Sequence, residues 1–228
     1  MIKEIIDKLV ALLAVSALLA SCSESELWQN PQTEARDGYI MLNFKTEIPA
    51  MQEVVTRAVD PDGGGVQDMT LFCFDSYGLF ISTVKAGVTV QKPGPGEMEG
   101  TFKAEVPENT RTIHFLANQN MDEFKEDSFR NKSESEVMAV LEGSSGRMIY
   151  WGRFACDAGN DSNIAEQMAT SGNSVKLIRN HARISVDNPD NNGHIVITGF
   201  AVCNTNAFGT VAPHHPKKGF DFTWPSID

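Results

Sequence analysis

The sequence predicts a mainly β protein. A Greek-key β-sandwich with one or two short helices fills residues 37–172, and an incomplete second β-domain follows over 173–228. Three observations predict it. Several short stretches alternate apolar and polar residues with a period of two, as half-buried strands do. Clusters of Gly, Pro, Asn and Asp separate them at short intervals. Only one stretch carries the full chemistry of a helix start.

The first strand lies in Tyr39 to Lys45, where Ile40, Leu42 and Phe44 fall on one face and Met41, Asn43 and Lys45 on the other. A loop from Glu53 to Gly65 follows, containing Val54-Val55-Thr56-Arg57-Ala58 and Asp60-Pro61-Asp62-Gly63-Gly64-Gly65; its composition predicts an exposed, cuttable segment. Met69 to Phe74, the turn Asp75-Ser76-Tyr77-Gly78 and Leu79 to Val84 form a hairpin. The breaker cluster Gln91 to Gly96 precedes a clean alternation in which Met98, Phe102, Ala104 and Val106 face inward, and Pro107-Glu108-Asn109 ends it. Arg111 to Ala117 is the next strand, with Ile113, Phe115 and Ala117 inward.

Ser133-Glu134-Ser135-Glu136 matches the capping box, in which serine and glutamate satisfy the orphan amides of a helix start. Val137, Val140 and Leu141 supply its apolar stripe and Gly143 ends it. Arg147 to Phe154 returns to strand composition, and a short helix is placed around Ile164 to Met168. A domain boundary is expected near Ser171-Gly172-Asn173-Ser174, with strands at Val175 to Val186 and His194 to Cys203 beyond it. What remains is about half of the roughly 100 residues a sandwich needs. Either the chain is a piece of a longer protein or its last strands lean on the first domain; the interrupted composition of Phe220 to Pro225 favours the former.

The N-terminus sets compartment and anchor. After Lys3, Glu4, Asp7 and Lys8, an apolar run of about 11 residues from Leu9 to Leu19 has signal-peptide length, short of a membrane span. It ends in Leu19-Ala20-Ser21-Cys22, a lipobox, so residues 1–21 are a lipoprotein signal peptide and Cys22 is the lipidation site. Acyl chains on that thiol bury methylenes at roughly 0.8 kcal/mol each and hold a protein at a membrane without a spanning helix. The competing reading is an ordinary signal peptide with an incidental cysteine, and Glu4 and Asp7 depart from a standard leader. Residues 22–36, opening with Ser23-Glu24-Ser25-Glu26, form a tether. A hydrophobic share of 41% supports a packed core, and a net charge of −11 argues against nucleic acid and anionic membrane surfaces as partners. Beyond Cys22 the cysteines are Cys73, Cys156 and Cys203, an odd number, with Cys73 expected as a buried free thiol.

Thr56-Arg57-Ala58, Met69 to Gly78, Ile113 to Asn118, Met148 to Gly152 and Leu177 to Val186, in that order and behind a lipobox, resemble the fimbrillin family of the Bacteroidota, the subunits of type V pili. Ser23-Glu24-Ser25-Glu26 is similar to the export tag of surface lipoproteins in that phylum. The resemblance implies a two-domain, transthyretin-like β-sandwich adhesin or pilin, carried to the outer membrane as a lipoprotein and cut by an arginine-specific protease. Carried over, the cut falls between Arg57 and Ala58 and makes residues 37–57 a removable first strand. Loss of that strand would leave a groove that a strand of another subunit fills by β-augmentation. Arg36 is the competing cleavage site, and cutting there would release the protein without opening a groove. The family's donor strand lies at the far C-terminal end of the full subunit, which this chain is expected to lack; a subunit without one would accept a donor and supply none.

Other chemistry finds little footing in the sequence. Asp60 to Gly63 lacks the distal bidentate glutamate of a calcium loop, and His214-His215 has no second His or Cys pair at metal-ligand spacing, while His114, His181 and His194 are scattered. No nucleophile elbow or cysteine-nucleophile signature is present, so no enzyme, cofactor or metal is expected. Trp28, Trp151 and Trp224 are too dispersed for a sugar platform. The expected role is a structural or adhesive pilus subunit at the cell surface, with other subunits, outer-membrane lipid and a host or bacterial surface ligand as partners. Two rivals are a non-polymerising anchor or length-regulating lipoprotein of the same assembly, and a glycan-binding surface lipoprotein.

Overall fold

The computed structural model describes residues 35–47, 66–93, 98–122, 124–143, 148–180, 198–199, 201, 203, 209–215 and 217–223. Two antiparallel-rich sheets pack face to face. One takes the order β4-β5-β1-β9, from β1 (Tyr39–Glu47), β4 (Gly87–Pro93), β5 (Met98–Pro107) and β9 (Ser174–Lys176). The other takes the order β10-β8-β6-β2-β3, from β2 (Met69–Phe74), β3 (Phe80–Lys85), β6 (Thr112–Ala117), β8 (Tyr150–Ala155) and β10 (Ile178–Arg179).

The core between them is built from alternate residues of both sheets: Ile40, Leu42 and Phe44 from β1 and Phe102, Ala104 and Val106 from β5 meet Leu71, Cys73, Ile113 and Phe115. The inward positions of β1 and β5 were readable from their alternation. In β2 and β6 every residue is buried, because a second apolar cluster, with Phe72, Phe74, Leu116 and Trp151, covers the outer face of that sheet. Ile113, Phe115 and Ala117 of β6 face the core between the sheets as expected, and the other face of the strand is buried as well. The β2–β3 hairpin forms as expected, its turn held by the Asp75 carboxylate, which accepts from the amides of Tyr77 and Leu79. Gly78 takes a φ of +71° there.

Three elements depart from expectation. The breaker cluster at Gln91 to Gly96 begins inside a strand: β4 runs to Pro93 and pairs with β5, and as a sheet-edge strand it tolerates a terminal proline. The helix after Ser133 has its full capping box but is short, α1 (Glu134–Met138); Val140 is half exposed, and Gly143 enters a two-residue strand, β7 (Glu142–Gly143), in place of a helix cap. The second helix, α2 (Ile164–Thr170), is capped by Asn163 and buries Ile164, Ala165 and Met168 in the core beside β1, closing that flank of the sandwich.

The boundary expected at residues 172–173 falls inside this sandwich. β9 lies parallel to the end of β1, and after Leu177 the chain crosses to β10, which extends the opposite sheet beyond β8. Gly152 of β8 permits the crossing, since a Cβ there would stand 2.7 Å from the Lys176 carbonyl oxygen. Further on, β11 (Gly209–Thr210) pairs with β7, Val211 and Ala212 are buried in the second cluster, and β12 (His214–His215) and β13 (Gly219–Phe220) form a hairpin. The described C-terminal strands thus pack on the sandwich, through the β11–β7 pairing and the burial of Val211 and Ala212. Of the strands expected over Val175 to Val186 and His194 to Cys203, residues 181–197, 200 and 202 lie outside the described residues, and the described 198, 199, 201 and 203 are not in a strand.

Candidate assembly site

The seat of β1 is the most heavily built feature of the fold. Eight residues of β1 pair antiparallel with β5, from Tyr39 opposite Pro107 to Thr46 opposite Gly100. On its other side β9 runs parallel at Lys45 to Glu47, fixed by the Lys45 amide donating to the Asn173 carbonyl at 2.7 Å and the Leu177 amide donating to the Glu47 carbonyl at 2.7 Å. The first strand of the domain is therefore an interior strand of its sheet. Ile40 lies opposite Val106 and Leu42 opposite Ala104, a large residue over a small one. Phe44 stacks on Phe102 with ring centroids 5.5 Å apart and meets the edge of Phe115 at 5.0 Å. Met41, expected on the wet face, is buried as well.

At the entry to β1 the chain is latched. The Arg36 guanidinium donates to Glu105 at 2.6 Å and lies over the Tyr39 ring at 4.2 Å, while the Arg36 carbonyl accepts from the Tyr39 amide. Arg36, the lesser cleavage candidate, is thus held in a turn and offers a protease little extended backbone. Cys22, Arg57 and Ala58 lie outside the described residues, as do Trp28, Trp224, His181, His194 and the Asp60 to Gly63 turn. Beside the latch is a polar cleft of about 610 Å³ lined by Arg36, Tyr39, Lys85, Glu105, Glu126 and Arg130.

A second polar centre is built on β6 and β8. His114, fully buried on β6, accepts from Trp151 Nε1 through Nδ1 at 3.0 Å, and its Nε2 lies 2.6 Å from Glu134. Because the indole is only a donor, Nδ1 carries the lone pair and Nε2 carries the proton. Burial pushes His114 below its ordinary range, against the pull of Glu134. Burial alone would raise Glu134, but hydrogen bonds from His114 and from Arg153, at 2.7 and 3.1 Å, outweigh it and hold the carboxyl down to about 2. Phe222 closes the cluster, edge-on to His114 at 4.8 Å. The available signal was a histidine amid apolar strand residues, which requires a partner wherever both sheet faces are covered.

Cys73 is buried and free, as expected, and burial pushes its thiol up to about 12; Cys156 is half-buried and Cys203 exposed. Among the described residues no group of three or more His, Cys, Asp or Glu is arranged to hold a metal ion, and no helix is long and apolar enough to cross a membrane. No family model matches the chain, and neither a curated protein nor a solved structure is detectably similar to it.

Proposed function

We propose that this protein is a structural or adhesive subunit of a cell-surface pilus. It is exported as a lipoprotein through Cys22, reaches the outer membrane, and is matured by arginine-specific cleavage after Arg57 so that its first strand yields to a strand of another subunit. One observation carries the reading: β1 is both the first strand of the domain and an interior strand that fills the core with Ile40, Leu42 and Phe44. Losing it would expose the apolar floor formed by β5 and β6 and the unpaired main chain of β5, which an extended strand from a neighbour fits. No catalytic role is assigned. The His114, Glu134 and Arg153 cluster is roofed by Phe222 and serves packing.

The anchor reading draws on a different observation, the Arg36 latch together with the β9 clamp, which favour a β1 that stays in place. The glycan-binding reading is weaker, because the one aromatic ring lining the polar cleft, Tyr39, has a face taken by Arg36. N-terminal sequencing of the protein recovered from the cell surface after exposure to an arginine-specific protease, with an unboiled gel of the same sample, separates the first two. A start at Ala58 with a ladder of heavier species supports the pilus subunit. A start at lipidated Cys22 with a monomer band makes it an anchor or a solitary lipoprotein.

A further inference from the structure

The β1 seat reads side chains as well as accepting a backbone, and β1 is an imperfect occupant of it. Position by position, the seat offers β5 residues of very different size. Val106 and Ala104 leave room for the aliphatic Ile40 and Leu42. Phe102 and Phe115 form an aromatic corner around Phe44. At the last inward position Thr46 lies opposite Gly100, whose missing Cβ leaves space for the Phe102 ring; a Cβ there would stand 2.5 Å from that ring. Thr46 is fully buried, and its hydroxyl has no hydrogen-bond partner among the described residues. A buried hydroxyl without a partner carries a desolvation cost that an apolar group of the same shape does not.

We infer that the seat selects, from a second chain, a strand running antiparallel to β5 with the pattern aliphatic-x-aliphatic-x-aromatic-x-valine, and that Thr46 leaves the chain's own strand weaker than this at one position. The inference deepens the pilus reading, resting on it for the source of the incoming strand, while the ranking of strands is a property of the seat alone. Main-chain hydrogen bonds are the same for any extended occupant, so preference among occupants comes from the side chains that face the core. A valine in place of Thr46 keeps the volume and removes the orphaned hydroxyl.

The test uses the full chain carrying one unique protease site between Glu47 and Val66. After cutting, fluorescent peptides of residues 38–47 are offered in three forms: native, Thr46→Val and Phe44→Lys. The expected result is uptake of the native peptide, about tenfold preference for the Thr46→Val peptide, the size set by one buried unpaired hydroxyl, and no uptake of Phe44→Lys. The uncut T46V protein should also melt higher than the parent. Equal or reversed ranking of the Thr and Val peptides, or a T46V protein that melts lower, overturns the inference; uptake of none of the three peptides overturns it too. If the peptides rank as expected while the cell-surface protein still begins at Cys22, the inference about the seat stands and the pilus reading falls. If cells show Ala58 and ladders but the peptides do not discriminate, the pilus reading stands and the inference falls.

Discussion

Replacing Phe44 by alanine tests whether β1 is a structural keystone of the intact domain. The ring is fully buried and touches two others, at 5.5 and 5.0 Å between centroids. Truncating a buried phenylalanine costs about 3–5 kcal/mol, of which each aromatic contact accounts for about 0.5–1.5 kcal/mol. With two such contacts and an interior strand on either side of which the backbone is paired, the site has little freedom to collapse, so about 4 kcal/mol is expected. For a domain of this size that corresponds to a fall in Tm of about 10 °C. The assay is thermal and urea unfolding followed by circular dichroism. Because a domain's whole stability is about 5–15 kcal/mol, Phe44→Leu, which gives up both ring contacts but keeps most of the aliphatic burial, is measured alongside as a graded variant and is expected to lose about 1–3 kcal/mol, less than Phe44→Ala. A Phe44→Ala loss below about 1 kcal/mol would refute the reasoning, since it would mean that β1 is peripheral and that its removal opens no groove.

Acid should weaken the domain in two steps. His114 has a folded value below 6.5, so the unfolded chain takes up a proton that the folded one refuses, and stability falls as pH drops below about 6.5. Glu134 has a folded value of about 2 against 4.5, so its contribution is complete above 4.5 and is lost as pH falls toward 2; urea midpoints at several pH values should show both, and Glu134→Gln should flatten the lower step. A thiol reagent at mildly alkaline pH should modify Cys203 in the folded protein and Cys73 only after unfolding, since Cys73 is fully buried with its thiol pushed up to about 12. Equal native-state rates for the two would contradict the burial. Glu105→Ala should speed proteolysis after Arg36 by up to about fivefold, the range of one exposed ion pair, measured by time-resolved mass spectrometry of the digest. Gly152→Ala should cost about 2 kcal/mol, because the new methyl would press on the Lys176 carbonyl oxygen and on Leu177, 2.8 Å from its Cδ2; an unchanged urea midpoint would mean that the crossing segment moves freely.

The strands were easiest to recognise where one sheet face is apolar and the other polar. β1 and β5 alternate, and alternation in a strand is a statement about two different environments. β2 and β6 could be recognised as strands but not as doubly buried, because covering the outer face depends on Val211, Ala212 and Phe222, which are distant in sequence. β4 is obscured in the sequence because the breaker residues Gln91, Lys92 and Pro93 form its second half, whereas its pairing with β5 runs through to Pro93 opposite Met98. The domain boundary was misplaced for a related reason. Ser171-Gly172-Asn173 has the composition of a linker, yet it serves as a helix exit, with Gly172 at a φ of +75° and Asn173 at +54°, and delivers β9 against β1. In the candidate site, the inward trio of β1 was readable from sequence. The mismatch at Thr46 and the Arg36 latch were not, because both depend on which residue of β5 lies opposite, and register across a long loop is invisible to local pattern.

Strand replacement in this fold is close to neutral in its main-chain terms. Any extended occupant of the seat makes the same ladder with β5, so the intact chain keeps β1 chiefly because the connection to β2 holds it nearby. That tether supplies an effective concentration on the order of millimolar, which no dilute neighbour matches. A cut between Glu47 and Val66 removes that advantage, and the outcome then rests on side chains and on the slow release of a strand that buries Ile40, Leu42 and Phe44. The Arg36 latch adds little to this balance, since an exposed ion pair contributes about 0–1 kcal/mol. Its effect is local: the Arg36 guanidinium donates to Glu105 and the Arg36 carbonyl accepts from the Tyr39 amide, so the turn guards the one peptide bond after Arg36 and leaves the hold on β1 to the core.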